Sequence, residues 1–152
     1  AEQMLLEHGS PAYILDGDNL RHGLNADLGF SMADRAENLR RLAHIATLMA
    51  DAGLTVLVPA ISPLAEHRAL ARTVHTEAGI EFLEVFVDTP LSDCEHRDPK
   101  GLYAKARRGE ITHFTGIDSP YQRPKNPDLR LTPDHSPVEL AQQVIDLLEP
   151  RS

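Results

Sequence analysis

Short apolar runs alternate with helix-length stretches along the whole chain, and that alternation leaves few folds open. Ala12-Tyr13-Ile14-Leu15, Leu54 to Ile61, Phe82 to Val87 and Asp128 to Thr132 read as buried strands. Between the first two, Leu39, Leu42, Ile45, Ala46, Met49 and Ala52 repeat at helical spacing, opened by a Ser31–Asp34 capping pair and closed by Gly53. Ser62-Pro63 predicts an N-cap and first-turn proline for a helix to about Thr76, and Ser136-Pro137-Val138-Glu139 a full capping box for a terminal helix. Shorter helices are expected over Ala1–His8, from Pro90 toward Arg97, and from Lys100 to Arg108. Strands and helices that alternate in this way predict an α/β fold built on a doubly wound parallel sheet.

Size and charge narrow the function classes. With 152 residues, 41% of them hydrophobic, one globular domain is expected. A balance of 15 basic to 23 acidic residues, net −8, argues against nucleic acid or an acidic membrane surface as partner. A single cysteine, Cys94, and no apolar run of membrane-spanning length fit a cytoplasmic protein.

Asp16-Gly17-Asp18 follows the first strand, where open parallel sheets place their chemistry. By itself such a turn serves equally as a local Asx turn or as a carboxylate site for a hydroxyl proton or a magnesium-bound water. Arg21 stands close enough to add an anion-binding guanidinium. Arg35, Asn38 and Arg41 share one polar stripe at the start of the long helix, which is either a solvated face or an anion site at the helix N-terminus. Phe30 and Phe114 fall in glycine-flanked loops, where a ring is free to stack on a planar base. Residues 110–126 form a long aperiodic stretch of the kind used as a lid. No histidine or cysteine spacing suits a protein-held transition metal.

Taken in order, Leu15-Asp16-Gly17-Asp18-Asn19-Leu20-Arg21-His22-Gly23-Leu24, Gly29-Phe30, Arg35-Ala36-Glu37-Asn38, Ile61-Ser62-Pro63, Asp98-Pro99-Lys100-Gly101-Leu102-Tyr103 and Phe114-Thr115-Gly116-Ile117-Asp118-Ser119-Pro120-Tyr121 resemble the adenylylsulfate kinase family. The likeness runs from about Gly9 to Leu148, and is strongest to the bacterial type fused to, or working beside, ATP sulfurylase. It implies a P-loop-kinase-like fold and transfer of the ATP γ-phosphoryl to the 3′-hydroxyl of adenosine 5′-phosphosulfate, giving 3′-phosphoadenosine 5′-phosphosulfate. Mg2+ with ATP is the implied cofactor, and a homodimer the implied assembly.

The resemblance also implies roles. Asp18 is the base or orienting carboxylate near the magnesium, with Asp16 as its support. Arg21, Arg35 and Asn38 hold the phosphosulfate, and Phe30 and Phe114 clasp the adenine. Ile61, Leu102, Gly116 and Ile117 complete the substrate pocket. Lys100 neutralises phosphate charge from a lid over residues 100–119, and Arg97 faces ATP. Ser62 reads as a capping serine beside the substrate rather than a covalent carrier, since in-line transfer needs positioning and charge neutralisation.

One element of the family is missing: no Gly-x-x-x-x-Gly-Lys-[Ser/Thr] phosphate loop occurs in these residues. We therefore expect a single kinase domain, 1–152, truncated at its N-terminus. Its absent strand belongs at the centre of the sheet, between the strands at Leu54 and Phe82, and such a chain alone is expected to be inactive. Two other readings stay open: another small-molecule P-loop kinase, and a non-catalytic adenylylsulfate-binding domain that regulates a sulfurylase partner.

Overall fold

A computed structural model describes residues 1–148; the last four positions of the expected 1–152 domain lie outside the described residues. The order of elements is α1 (Glu2–Glu7), β1 (Ala12–Ile14), α2 (Gly17–Leu20), α3 (Met32–Asp51), β2 (Thr55–Leu57), α4 (Ala65–Glu77), β3 (Val85–Val87), α5 (Leu91–Arg97), α6 (Leu102–Arg107), β4 (Leu129–Leu131) and α7 (Pro137–Leu148). Both strand pairings are parallel, as the alternation requires.

The sheet is split. β1 pairs with β2, Tyr13 opposite Val56, and β3 pairs with β4, Phe86 opposite Arg130. Among the described residues no ladder joins β2 to β3. A continuous sheet is thus replaced by two halves, divided at the position where the family's central strand is expected.

α3 covers the first half. Leu42 and Ala46, 2% and 3% exposed, meet Leu15 of the β1 end, with Leu39, Ile45, Met49 and Val56 packed around them. Burying a leucine this fully is worth about 1.5–3 kcal/mol. The helix opens as its sequence demands: the Asp34 N–H donates to Ser31 Oγ at 3.1 Å, and that hydroxyl donates to the Asp34 carboxylate at 2.7 Å. α4 serves the second half. Arg68 pairs with Glu84 at 2.7 Å, and Arg72 with Asp128 at 2.9 Å. α3 and α4 pack against each other and join the halves.

Several expected boundaries are corrected. β2 ends at Leu57, short of Pro59, so the missing donor of that proline disturbs no ladder. β3 starts at Val85 rather than Phe82, because the Asp128 carboxylate takes the Glu84 N–H at 2.7 Å where a strand partner would be. α4 begins at Ala65, and Ser62 does not cap it. Its N-cap, Leu64, offers no side-chain bond; instead Gln122, 57 residues on, accepts the Ala65 N–H at 2.7 Å. The capping box of α7 forms as expected, with Ser136 N–H donating to Glu139 at 2.8 Å.

Candidate active site

Asp16 ends the run after β1 and caps α2, its carboxylate accepting the Asp18 N–H at 2.9 Å. The local Asx geometry and the exposed carboxylate therefore coexist: Asp16 makes the turn, and Asp18 presents its own side chain to solvent. The Asp18 carboxylate accepts no hydrogen bond among the described residues and remains free to act.

Arg21 sits one turn further on. Its Nη1 donates to the carbonyls of Leu28 and Gly29, at 3.2 and 2.7 Å, and its guanidinium lies 4.5 Å from the centre of the Phe30 ring. Phe30 is thereby held outward, 67% exposed. From the first turns of α3, Arg35 donates Nε to the Phe30 carbonyl at 2.9 Å and Nη1 to the His113 carbonyl at 2.8 Å. One side chain thus ties the loop carrying Phe30 to the residue preceding Phe114. Nη2 of Arg21 and Nη2 of Arg35 donate to no described residue, so both cations keep a donor for an anion.

Residues 98–118 have their own supports. Asp98 accepts the N–H groups of Tyr103 and Ala104 at 3.1 and 3.0 Å and so caps α6. Burial pushes its carboxyl up, but these backbone donors outweigh it and hold the group below the usual carboxylate range. Asp118 accepts the N–H groups of His113, at 2.7 Å, and Phe114, with the same balance and the same net lowering. Phe114 rests edge-on against Tyr103, ring centres 5.0 Å apart. Gly116 takes φ +86°, and a Cβ there would stand 3.3 Å from Leu91. Lys100 and Arg97 are exposed, Leu102 opens α6 and Ile117 is half-buried in the turn.

Arg35, Asn38 and Arg41, which share one polar stripe in the sequence, differ in their surroundings. Asn38 is 8% exposed, and its Oδ1 accepts a 2.9 Å bond from Asn25, which is 0% exposed. Asn38 Nδ2 lies 3.6 Å from where a Gly17 Cβ would stand, so the pair sits beneath the Asp16–Asp18 turn. Arg41 is saturated by Asp27, at 2.7 and 2.9 Å, and by Glu37 at 2.8 Å, and its pKa is pushed up by both. The Ser62 carbonyl accepts a bond from Arg68 Nη1 at 2.8 Å, and the Pro63 carbonyl accepts the Gln122 N–H at 2.8 Å.

Asn25, Asp98, Asp118, Arg68 and Gln122 escape sequence reasoning. Asp118 carries a signal, since a carboxylate four residues after Phe114 can close an Asx-like turn; Asp98 reaches donors only five and six residues on, while Asn25 and Gln122 act over separations that no local pattern records.

The Adenylylsulphate kinase family model matches residues 1–132. The chain belongs to the adenylylsulphate kinase family. This family member is 82% identical over 151 residues to the "Bifunctional enzyme CysN/CysC" of Mycobacterium tuberculosis (strain ATCC 25618 / H37Rv), a match covering 99% of the chain and 25% of that protein. The chain thus spans about a quarter of the length of that relative. It is 56% identical over 141 residues to the "Probable adenylyl-sulfate kinase" of Halalkalibacterium halodurans, covering 93% of this adenylylsulphate kinase family chain and 67% of that protein. It superposes on the Mycobacterium tuberculosis APS kinase CysC, solved in complex with AMPPNP and APS, with TM-score 0.96 and 82% identity, covering 98% of this chain and 86% of that one. No described helix is long and apolar enough to cross a membrane.

Proposed function

We propose that the chain carries the acceptor side of an adenylylsulfate kinase, binding adenosine 5′-phosphosulfate for phosphorylation at its 3′-hydroxyl by ATP. The observation that carries this reading is the Arg35 bridge, which sets the Phe30 and Phe114 loops side by side while leaving a cationic donor between them. Two rings and two arginines suit an adenine joined to an anionic phosphosulfate. The solved relative that this chain matches at 82% identity holds AMPPNP and APS, which supports the same pair of ligands here.

Asp18 is the group placed to take the 3′-hydroxyl proton. As that oxygen bonds to the γ-phosphorus, the bond from phosphorus to the β–γ bridging oxygen breaks and ADP leaves with the electron pair. Arg21 and Arg35 hold the phosphosulfate through their free Nη2 groups, and Asn38 supports the Asp16–Asp18 turn from below. The lid, residues 100–119 with Lys100, excludes water when it closes.

Mg2+ fits the residues present. No cluster of three or more acidic, histidine or cysteine side chains capable of holding a metal occurs among the described residues, and Asp18 offers one free carboxylate. That suits an ion which takes most of its ligands from water and nucleotide phosphates. When bound, Mg2+ neutralises charge on the transferring phosphates; Asp18 would hold it, directly or through water.

The 152 residues contain no phosphate-loop motif, so this reading assigns the cradle for the ATP phosphates to residues outside them, with its strand between β2 and β3. The match to a quarter of a bifunctional relative supports a domain working within a longer polypeptide. The test is a coupled assay of full-length protein with ATP and adenylylsulfate, beside calorimetric titration of each ligand. Turnover supports the reading, binding of adenylylsulfate without turnover favours a regulatory domain, and no binding sinks it.

A further inference from the structure

Ser62 occupies a conformation that a serine does not choose. Its φ of +37° lies in the left-handed region, a strained conformation for a serine that persists only where its surroundings impose it. The surroundings are specific. Arg68 Nη1 donates to the Ser62 carbonyl at 2.8 Å, and its Nη2 to the Gln122 carbonyl at 2.7 Å. The Gln122 N–H donates to the Pro63 carbonyl at 2.8 Å, while its Oε1 accepts the Ala65 N–H that opens α4. Arg68 is itself anchored by Glu84 at 2.7 Å, the two side chains being 12% and 19% exposed.

We propose that Gln122 and Arg68 are positioning residues for the adenylylsulfate site, acting through the Ile61-Ser62-Pro63 turn. The inference rests on the function proposed above. A serine that caps α4 would spend its hydroxyl on a backbone N–H. Because Gln122 caps the helix instead, the Ser62 hydroxyl is released and its backbone is turned left-handed. Gln122 lies three residues beyond the lid's last residue, so a lid that closes on substrate pulls on the same carbonyls and amides that hold Ser62. The arrangement couples lid position to the substrate-facing turn through backbone hydrogen bonds.

The experiment compares Gln122→Ala, Gln122→Glu and Arg68→Lys with the parent in the full-length polypeptide, measuring KM for both substrates and adenylylsulfate affinity by calorimetry. Gln122→Glu keeps an acceptor for the Ala65 N–H. Positioning predicts that Gln122→Ala and Arg68→Lys raise KM for adenylylsulfate about tenfold while KM for ATP stays within about twofold. Gln122→Glu is expected to restore the parent value. A fall in Tm with both KM values unchanged, an equal change in both, or no rescue by Gln122→Glu would overturn the inference and leave the kinase reading intact. Failure of the parent protein to bind adenylylsulfate would overturn both.

Discussion

Arg35 and His113 lie 78 positions apart and are joined by an N–H···O=C bond of 2.8 Å. The bond ties the base of the long helix to the segment at His113, and the same guanidinium also holds the Phe30 carbonyl. Lysine keeps the charge but cannot reach two carbonyls with a planar fork. Arg35→Lys is expected to raise KM for adenylylsulfate roughly ten- to a hundredfold. Amide exchange over residues 110–119 should accelerate in the same variant; unchanged exchange there would contradict the bridge.

The two rings are predicted to behave differently. Phe30→Ala and Phe114→Ala should each weaken adenylylsulfate binding by about 1–3 kcal/mol, the worth of one base–aromatic stack. Phe30 is 67% exposed, so its loss should leave Tm nearly unchanged. Phe114 packs on Tyr103, so its loss should lower Tm as well. Calorimetric titration and thermal unfolding of the two variants separate these effects.

Beneath the Asp16–Asp18 turn, Asn38→Ala would strand the Asn25 amide at a position that is 0% exposed. The expected loss is about 1–3 kcal/mol in urea unfolding. Adding Asn25→Ala in that background should cost little more, since the broken bond is already lost. Additive losses would show that the two side chains are independent.

Glu37 supplies the pH dependence. Arg40 first and Arg41 second hold its carboxyl at about 2, below the ordinary 4.5. A lowered folded value means that the ionised group stabilises the fold fully above pH 4.5, and that this contribution disappears as pH falls toward 2. Glu37→Gln should therefore lower Tm by a constant amount at neutral pH, and the gap to the parent protein should close through that acid window.

Where the determinants are local, the chain can be read directly. Ser31 with Asp34, and Ser136 with Glu139, announce their helices because a cap and its target are three residues apart. The strand at Phe82 is overestimated because its true start depends on Asp128, 44 residues on. Ser62-Pro63 mimics a helix start, yet Gln122 takes the capping position from 57 residues away. Arg35 stands out by its motif, but its bond to the His113 carbonyl is written nowhere near it in the chain. Asn38 and Arg41 look alike in a polar stripe, and only packing reveals that one is buried and the other saturated by carboxylates.

The divided sheet bears on how stability is distributed along the chain. Each β pair joins segments far apart in sequence, the first packed under α3, the second in contact with α7 and tied to α4 by the Arg68–Glu84 and Arg72–Asp128 ion pairs. Among the described residues no strand ladder crosses the boundary between them; α3 docked on α4 and the Arg35–His113 bond do. Either pair can loosen without breaking a ladder hydrogen bond of the other, so amide-exchange protection is expected to differ between β1–β2 and β3–β4.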